Sequence, residues 1–306
     1  MSNIKFEIWS LLVSISNAIR DWRVLRKGQS TEYYILQTAH RLEKGLLIPN
    51  PRILWGWDKA KRLYTLLQNT RNAFVKETGE AVLSSYLFQK MNSSFVEDKA
   101  EYIKFVSETC FNINQNEYGG VLKINDTKFN NEELSVIKKL FNSRHSTRTF
   151  SSVPIPMENL LEAINLALRC PSACNRQPFK VYAVPAEEKE KHIAKSSGYK
   201  GRMFLFITGK IDAFTLDEIN DWIVSPSIFV GYLTLSLHAM GIGSCVVRKD
   251  LACNTLYNKA VMRFCGIPKN EKLILELAVG MYEQSYVVPV SNRMSADDCL
   301  VICSNN

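Results

Sequence analysis

The chain has 306 residues, of which 46% are hydrophobic and 22% are charged, and its formal net charge is +8 at pH 7. This composition is typical of a soluble globular protein, and the length allows one large domain or two medium ones. The basic residues are scattered, and no nucleic-acid-binding motif is recognisable, so the sequence disfavours a nucleic-acid partner despite its positive charge.

The cysteines and the apolar runs indicate the compartment. Eight cysteines are present without any Cys-x-x-Cys pair, which disfavours a zinc knuckle or a thioredoxin-like site. The first residues lack the apolar core and cleavage site of a signal peptide, and no run approaches the ~20 apolar residues of a membrane span. We predict a cytoplasmic protein without an integral membrane segment. Its first helix either packs on its own domain, which we favour, or lies on a membrane surface.

The first 130 residues are predicted to form a mainly helical region. Apolar residues recur at helical spacing over 4–26, 31–47, 57–75, 79–91 and 97–113. We interpret Thr78-Gly79 as a break between two helices and Gly45 as a helix C-cap. The polar residues His40, Arg41, Glu43 and Lys44 are either the solvated face of their helix or a cluster facing a pocket.

A polar stretch, 114–131, is predicted to link this region to a second domain. We place the boundary near 125–135, which gives regions 1–130 and 131–306. In the second region, strands are predicted at 179–184, 203–208 and 272–280, and helices at 131–141, 156–169, 186–196, the second half of 216–240, and 251–265.

Two polar segments of the second region are the candidates for a functional site. Arg144 to Arg148 places two guanidiniums, an imidazole and a hydroxyl within five residues. Arginine offers a planar fork of donors that matches phosphate oxygens, and serine adds a small donor at close range. The segment could also be a basic helix-entry segment, followed by a buried amphipathic helix and a loop, and the residue types alone leave both interpretations open.

The second segment, Pro171–Pro178, is a loop of short hydrogen-bonding side chains between two prolines. Fixed donors and acceptors of this kind suit the edge of a heteroaromatic ring. Between the two segments, Pro156 fits the first turn of a helix. Helical spacing places its apolar residues on one face: Leu160, Leu161, Ile164, Ala167 and Leu168.

The order of these features resembles the FMN-dependent nitroreductase family. The shared pattern is Arg-His-Ser-x-Arg-x-Phe, a proline-initiated helix and Pro-Ser-Ala-x-Asn-x-Gln-Pro, and the resemblance covers about residues 142–296. Gly241–Arg248 is similar to a Gly-Leu-Gly-Thr/Ser strand of that family. The resemblance implies an α+β fold, a three-layer α-β-α sandwich with a central mixed or antiparallel sheet, here preceded by the helical region.

The resemblance also implies where FMN would bind. Its phosphate would be contacted by Arg144, Ser146 and Arg293, with His145 as a further candidate. The family usually has another basic residue where this chain has Ser291. Arg148 would lie near the pyrimidine edge of the flavin ring.

The remaining contacts to FMN would come from the proline-bounded loop and from the end of the glycine-containing strand. In the family this loop commonly comes from the opposite subunit, so a homodimer with FMN at its interface is implied. The residues concerned are Pro171, Ser172, Ala173, Asn175, Gln177, Val247 and Arg248.

The implied activity is electron transfer from NAD(P)H through bound FMN to an organic acceptor, with ping-pong kinetics and without a metal or a catalytic acid or base. The sequence leaves open a non-catalytic interaction protein, with or without flavin, and an oxygen-using dehydrogenase or flavin-destroying relative. The segment His40–Leu46 resembles one found upstream of nitroreductase-like domains associated with bacterial surface-polysaccharide genes. The helical region has no counterpart in minimal nitroreductases and would cover the pocket and restrict acceptors. We therefore hypothesise a dedicated oxidoreductase that acts on a bulky or carrier-bound metabolite in surface-polysaccharide synthesis.

Overall fold

The computed structural model describes residues 2–49, 55–92, 119–125, 127–193, 201–218, 220–247 and 256–303. Its helices are α1 (Ser2–Leu25), α2 (Thr31–Leu46), α3 (Trp57–Leu67), α4 (Ala73–Asn92), α5 (Asn131–Ser143), α6 (Met157–Ala167), α7 (Ala186–His192), α8 (Asp221–Ala239), α9 (Leu256–Phe264) and α10 (Ala296–Cys299). Short 3-10 turns span Ala173–Asn175 and Ile211–Ala213. The strands are β1 (Phe179–Pro185), β2 (Met203–Lys210), β3 (Ile242–Val247) and β4 (Glu271–Met281).

The four strands form one antiparallel sheet in the order β1-β2-β4-β3. Because successive side chains of a strand point to opposite faces, β2 contributes to two cores. Leu205 and Ile207 pack with α6 and α8 on one face, whereas Phe204 and Phe206 pack with Val261 of α9 on the other. The predicted α+β class and three-layer arrangement are thereby confirmed.

Each of the four predicted strands is present within one or two residues of its expected bounds. The predicted helices of the second region are present as well; α7 ends at His192, before its expected end, and α9 is described from Leu256, since the predicted residues before it lie outside the described residues. The core spacing predicted for α8 is also observed: Phe229, Leu233 and Leu237 are buried, and Met240 packs against their cluster.

The helical region packs on the sheet-containing region through a shared core. Ile35, Leu42 and Leu63 lie in one buried cluster with Phe214 and Trp222, which come from the second region. The predicted division at residue 130 remains a prediction, and this core spans both sides of it. The helix predicted at 97–113 lies outside the described residues.

Two glycines interpreted as helix breaks or caps serve a different purpose. Gly45 lies inside α2, whose C-cap is Leu47, and Gly79 lies inside α4. A Cβ at Gly45 would lie 1.6 Å from the Trp55 ring, and one at Gly79 would lie 2.5 Å from Leu67. Both glycines therefore permit close approach of a neighbouring side chain. The break predicted at Thr78-Gly79 falls instead between α3 and α4.

The apolar face predicted for α6 is only partly buried. Leu160 and Ala167 are in the core, and Ile164 packs against it. Leu161 and Leu168, which were expected on the same face, are 55% and 39% exposed. Pro156 is the N-cap of this helix, one position before the expected first turn.

Two further helices bear on the prediction about membranes. Among the described residues, α8 alone is long and apolar enough to cross a membrane by those two criteria, and its buried side chains pack in the core beside the sheet. The first helix, α1, leaves an apolar stripe exposed, although Asp21 anchors it to Lys272 of β4 by an ion pair. The exposed residues are Ile8, Leu11, Leu12, Ile15, Ile19 and Trp22.

Candidate functional site

The arginine-rich segment follows α5 directly and is positioned by the edge strand β3. Ser146 forms an isolated parallel bridge with Ser244, and the Thr147 N–H donates to the Ser244 carbonyl at 2.9 Å. Thr147 is buried, with 1% of its surface exposed. The main chain of the segment is therefore fixed to the sheet, whereas the flanking Arg144 and Arg148 side chains lie at least partly in solvent.

A cross-strand pair of glycines holds the end of this segment. Gly243 of β3 and Gly280 of β4 lie opposite each other, and the Phe150 ring lies over both. A Cβ at Gly280 would come within 2.6 Å of Phe150, and one at Gly243 within 3.3 Å. The glycine found from sequence in the Gly-x-Gly pattern thus makes room for an aromatic side chain. The next residue, Ser151, donates its N–H to the Met281 carbonyl at 3.0 Å.

Arg144 and His145 are half-buried and lie near His238 and Tyr282. Burial lowers the pKa of His238, and the positive charges of Arg144 and His145 lower it further. The imidazole is bracketed by hydroxyls, with Nδ1 2.7 Å from Tyr282 Oη and Nε2 2.8 Å from Ser143 Oγ. These neighbours suit a neutral His238, so the fixed positive charge of this corner comes from Arg144.

Arg148 is exposed beside β3. Its Nη1 donates to the Ser146 carbonyl at 3.4 Å, and its charge opposes the effect of burial, which raises the pKa of the Cys245 thiol. Neither Arg144 nor Arg148 forms an ion pair with a carboxylate among the residues that the structure describes. Both guanidiniums therefore keep donors for an anionic ligand.

The second segment is a tightly wound loop. Cys174, Asn175 and Gln177 adopt left-handed φ values of 50°, 48° and 48°. Such a conformation is uncommon for residues other than glycine, and clusters of it are typical of functional sites. Ser172 Oγ accepts from the Gln177 N–H at 3.1 Å, and the Gln177 Nε2 donates to Asn175 Oδ1 at 3.3 Å.

Arg176, which the sequence did not single out, is the anchor of this loop. Its side chain is buried and pairs with Glu218 through both terminal nitrogens. It also donates to the carbonyls of Ala173 at 3.0 Å and Ala213 at 2.7 Å. The bonds from Arg176, together with those from Thr215, lower the pKa of Glu218 to about 2. The pair is therefore ionised, and it holds the loop while Asn175 stays exposed.

The remaining predicted residues are at three places. Val247 is the last residue of β3, half-buried and opposite Glu276, and Arg248 lies outside the described residues. Pro171 is exposed at the start of the loop. Arg293 is exposed and donates to the carbonyls of Ser291 and Asn292, where Ser291 has a left-handed φ of 48°.

The two segments lie at opposite ends of helix α8. Ser143, next to the arginine-rich segment, contacts His238, whereas the Ala173 N–H of the loop donates to Ser225 Oγ at 3.3 Å. Ser225 and His238 are thirteen residues apart, which is about 20 Å along a helix axis. Within one chain, the structure brings the arginine-rich segment together with β3 and does not bring the loop to it.

Comparison with known proteins gives one match in sequence and several in fold. Residues 142–200 match the model of the nitroreductase family. No curated protein matches the chain.

Solved structures give a likeness over about half of the chain. An FMN-dependent nitroreductase from Clostridium difficile R20291 aligns with 18% identity and a TM-score of 0.44 over 55% of this chain and 99% of its own. A nitroreductase with bound FMN from Bacteroides fragilis aligns with 14% identity and a TM-score of 0.47 over 55% and 98%. A nitroreductase family protein from Streptococcus pneumoniae aligns with 18% identity and a TM-score of 0.45 over 55% and 100%.

The matched range begins at the end of α5 and includes the arginine-rich segment, α6 and the left-handed loop. The resemblance inferred from those motifs is confirmed over this range. The likeness of the N-terminal segment to polysaccharide-associated proteins remains a prediction, as does the assignment of individual residues to FMN. Over residues 142–200 this chain is similar to the nitroreductase family, whose model these residues match.

Proposed function

We propose that this protein is an FMN-dependent oxidoreductase that takes electrons from NAD(P)H and passes them to an organic acceptor. The observation that carries the proposal is the loop 172–177. Three residues without the freedom of glycine are held in a left-handed conformation, and a buried ion pair fixes them. Strain of this kind is retained where the surrounding structure imposes it, and it is typical of ligand-binding sites.

The chemistry of the available donors fits FMN. Arg144 is half-buried without a carboxylate partner among the described residues, and Ser146 beside it is fixed by β3. A guanidinium and a hydroxyl at one position suit the phosphate group, for which Arg293 and His145 are further candidates. Ser172, Asn175 and Gln177 supply neutral hydrogen-bonding groups for the ribityl chain and the ring edge.

When bound, FMN would supply two-electron chemistry between a nicotinamide donor and a second substrate in two half-reactions. The protein would contribute position and charge. Arg148, next to the end of β3, would stabilise negative charge at the pyrimidine edge of the ring. The main chain at Val247 would border the reactive edge. No side chain is required to transfer a proton in this proposal.

A homodimer with FMN at its interface is part of the proposal. The separation of about 20 Å between the two segments supports it, because one copy then supplies the phosphate contacts and its partner supplies the loop. Exposed apolar side chains on α5, α6 and α8 also support it, since large exposed apolar surfaces mark interaction sites. They include Val136 (67% exposed), Phe141 (59%), Met157 (55%), Leu161 (55%) and Val224 (48%).

The position of α2 supports a restricted acceptor. This helix packs against the 3-10 turn of the loop, and Ala173 joins the core that α2 shares with α3 and α4. The helical region would thus cover one side of the flavin pocket and favour one bulky acceptor over many small ones. The role in surface-polysaccharide synthesis remains a prediction from His40–Leu46.

The test begins with the visible absorption spectrum of the purified full-length protein and chromatography of any chromophore released by heat. We expect FMN, bleaching by NAD(P)H under nitrogen, and recovery of colour when an acceptor is added. A colourless protein that takes up no added FMN would overturn the proposal and favour a flavin-free interaction protein. Bound FMN that NAD(P)H does not bleach would instead favour an interaction protein that holds flavin.

Further measurements test the range of acceptors, the role of the loop in binding FMN, and the oligomeric state. A dedicated enzyme should turn over small nitroaromatics and quinones slowly, and equal rates with all acceptors would contradict a restricted pocket. An Asn175→Ala variant should lose FMN while remaining folded.

The oligomeric state is tested by light scattering, which should give the mass of a dimer. A Leu161→Glu variant should dissociate this dimer or weaken it, and a monomer with full FMN content would contradict the interface.

A further inference from the structure

The helical region carries a basic groove between α2 and α3 that the flavin site does not use. Three neighbouring concavities, of about 260, 460 and 520 Å³, each have Arg41 in their walls. The first concavity also shares Tyr34 with the second and Lys59 with the third, so the three form one continuous groove. We call it the Arg41 groove; its main lining residues are Tyr34, Arg41, Lys44, Trp55, Lys59 and Arg62.

The groove follows from the spacing of residues on the two helices. Residues three or four apart share a helix face, which places Tyr34, Arg41 and Lys44 along one side of α2. The Arg62 guanidinium of α3 lies 4.7 Å from the Tyr34 ring centre, and the Trp55 ring lies against Gly45. The helices therefore run in opposite directions. From Tyr34 to Gly45 the groove extends about 16 Å.

Four cations line this groove without acidic partners. Arg41, Lys44, Lys59 and Arg62 are exposed, and none forms an ion pair with a carboxylate in the part of the chain that the structure describes. Two aromatic rings orient two of them: Lys59 Nζ lies 5.5 Å from the Trp55 ring centre, and Arg62 lies over Tyr34. Cations held in a concave surface concentrate a positive potential that attracts anions.

The acids near the groove already have other partners. Asp58 pairs with Lys61 at 3.7 Å, and Glu43 pairs with His40 at 3.2 Å and accepts the Gly120 N–H. At the far end, Glu218 pairs with Arg176, and Asp217 accepts from the Thr215 hydroxyl. The lining of the groove therefore has four cations against three carboxylates, two of which are paired with cations outside the groove, so its net charge is positive. A bound anion would not have to displace an existing ion pair of the four cations.

The two ends of the groove differ in chemistry. One end is lined by Ile48 and Trp55, which are apolar. The other is lined by Gln29, Gln37 and Thr215, which offer hydrogen bonds, together with the carboxylates of Asp217 and Glu218. Arg41 is common to both. A ligand that fills the groove would therefore have its negative charge in the middle, an apolar group on one side and a polar group on the other.

We infer that the Arg41 groove binds a diphosphate ester. Two arginine forks match two phosphate groups, and the two lysines add charge without demanding a particular orientation. A single phosphate would leave part of the row of cations unused, whereas a long polyanion such as nucleic acid would exceed about 16 Å and pass the apolar end. The inference concerns a site separate from the flavin segments and does not depend on flavin binding.

The groove is also close to the flavin loop. Arg41 shares a concavity with Glu218, and Glu218 holds Arg176 in the loop. A diphosphate ester bound along Arg41 would thus lie next to the element that positions Asn175. This arrangement makes the ligand a candidate for the electron acceptor itself, or for an effector whose binding changes the position of the loop.

The test is calorimetric titration of the full-length protein, saturated with FMN, with inorganic pyrophosphate and inorganic phosphate. We expect pyrophosphate to bind at least tenfold more tightly than phosphate, with an affinity that falls as salt rises. Arg41→Ala should weaken pyrophosphate binding roughly tenfold or more, as expected for the loss of a charge-assisted contact. Arg41→Lys, which keeps the charge but not the fork, should fall between.

Matched variants separate this site from the flavin site. Arg71→Ala removes the same charge from the exposed connection between α3 and α4 and should leave pyrophosphate binding unchanged. Arg144→Ala should lose FMN yet keep pyrophosphate binding, whereas Arg41→Ala should keep FMN. If the wild-type protein takes up no FMN, the same titrations in Arg144→Ala still test the groove. Equal binding by wild type and Arg41→Ala, or no preference for pyrophosphate over phosphate, would overturn the inference.

Two probes then identify the organic group. ADP carries a nucleoside on its diphosphate, and farnesyl diphosphate carries an apolar chain. If either of them binds more tightly than pyrophosphate, the groove is supported as an ester site. The compound that binds more tightly then identifies the organic group at the apolar end. If both bind more weakly than pyrophosphate, the groove does not accommodate an ester, and the inference is wrong.

Discussion

The two segments that we expect to hold FMN are positioned in different ways. The segment 144–150 is attached through its main chain to β3 and β4, and Phe150 rests on a pair of glycines. The loop 172–177 is attached mainly through one side chain, Arg176, which pairs with Glu218. Attachment by main chain tolerates many side chains, whereas attachment by one buried charge depends on that residue. The loop should therefore be the more sensitive of the two to a single substitution.

The largest effect should come from Arg176→Ala. This change leaves Glu218 and the Ala213 carbonyl without their partner, and removal of one member of a buried pair costs about 3–5 kcal/mol. Since the Glu218 side chain is 21% exposed, we expect the lower end of that range. Chemical denaturation measures the loss, and bound FMN should fall with it.

The control for this change is Arg202→Ala. Arg202 is exposed and donates to the Ser151 carbonyl at 2.7 Å, next to the other segment. Its removal should cost less than about 1 kcal/mol, because water replaces the bond. Equal losses for the two variants would show that the segments do not differ in the way described.

Stability in acid should depend on Glu218. Its pKa is lowered from 4.5 to about 2, so the unfolded chain takes up a proton before the folded one does. The contribution is complete above about pH 4.5 and is lost as the pH falls towards 2, with an upper limit of roughly 3 kcal/mol. We expect Glu218→Gln to reduce the unfolding free energy at neutral pH and to converge with wild type near pH 2.

A double variant checks that this effect belongs to the pair. Arg176→Ala with Glu218→Gln should be no less stable than Arg176→Ala alone, because residues in one ion pair do not act additively. Additive losses would mean that Glu218 acts through some other contact.

Substitution of the glycines that support the segment 144–150 should destabilise the protein more than substitution of the segment's own side chains. A Cβ at Gly280 would lie 2.6 Å from Phe150, whereas one at Gly243 would lie 3.0 Å from Tyr282 and 3.2 Å from Thr147. Overpacking of this kind costs about 1–3 kcal/mol. We therefore expect thermal unfolding to rank Gly280→Ala below Gly243→Ala in stability, and the reverse order would contradict the close approach of Phe150.

The smallest effect should be seen at His238. Its pKa is lowered first by burial and then by the charges of Arg144 and His145. In Arg144→Gln the pKa of His238 should rise but stay below 6.5, since burial remains. Because a lowered histidine pKa makes protonation oppose folding, the variant should also lose slightly less stability as the pH falls below 6.5. Proton NMR titration measures the shift, with Arg202→Gln as the control.

The strands and long helices were predictable because their sequence patterns reflect burial directly. The run from Met203 to Thr208 is apolar because both faces of β2 are covered, and Phe229, Leu233 and Leu237 recur at helical spacing because α8 packs on the sheet. The exposed Leu161 of α6 and its C-cap residue Leu168 show where this reasoning fails. Periodicity shows which apolar side chains share one face of a helix, but it does not show whether another part of the protein covers that face.

The glycines were misread for a physical reason. A glycine in a helix usually signals an end, since it weakens the helix by about 1 kcal/mol relative to alanine. Gly45 and Gly79 instead admit Trp55 and Leu67, which are distant enough in sequence that no local pattern connects them. Only the tertiary packing of distant residues against the helix reveals the reason for such a glycine.

The arginine-rich segment and the loop were found from sequence because their residue types are concentrated in short stretches. Arg176 was missed because its partner Glu218 lies in a different part of the chain, and a charged residue in a turn is most often solvated. The paired order of the two segments was evident, but their separation along α8 was not, because it depends on the tertiary placement of Ser225 and His238.

The core shared by the two regions has a consequence for any shortened form of the protein. Phe214, Trp222 and Ile274 are buried against the residues of α2, α3 and α4. A fragment that began near residue 131 would keep the whole matched range yet expose these three side chains to water. Such a fragment should aggregate or refold poorly. Limited proteolysis of the full-length protein should accordingly yield few fragments that stay in solution.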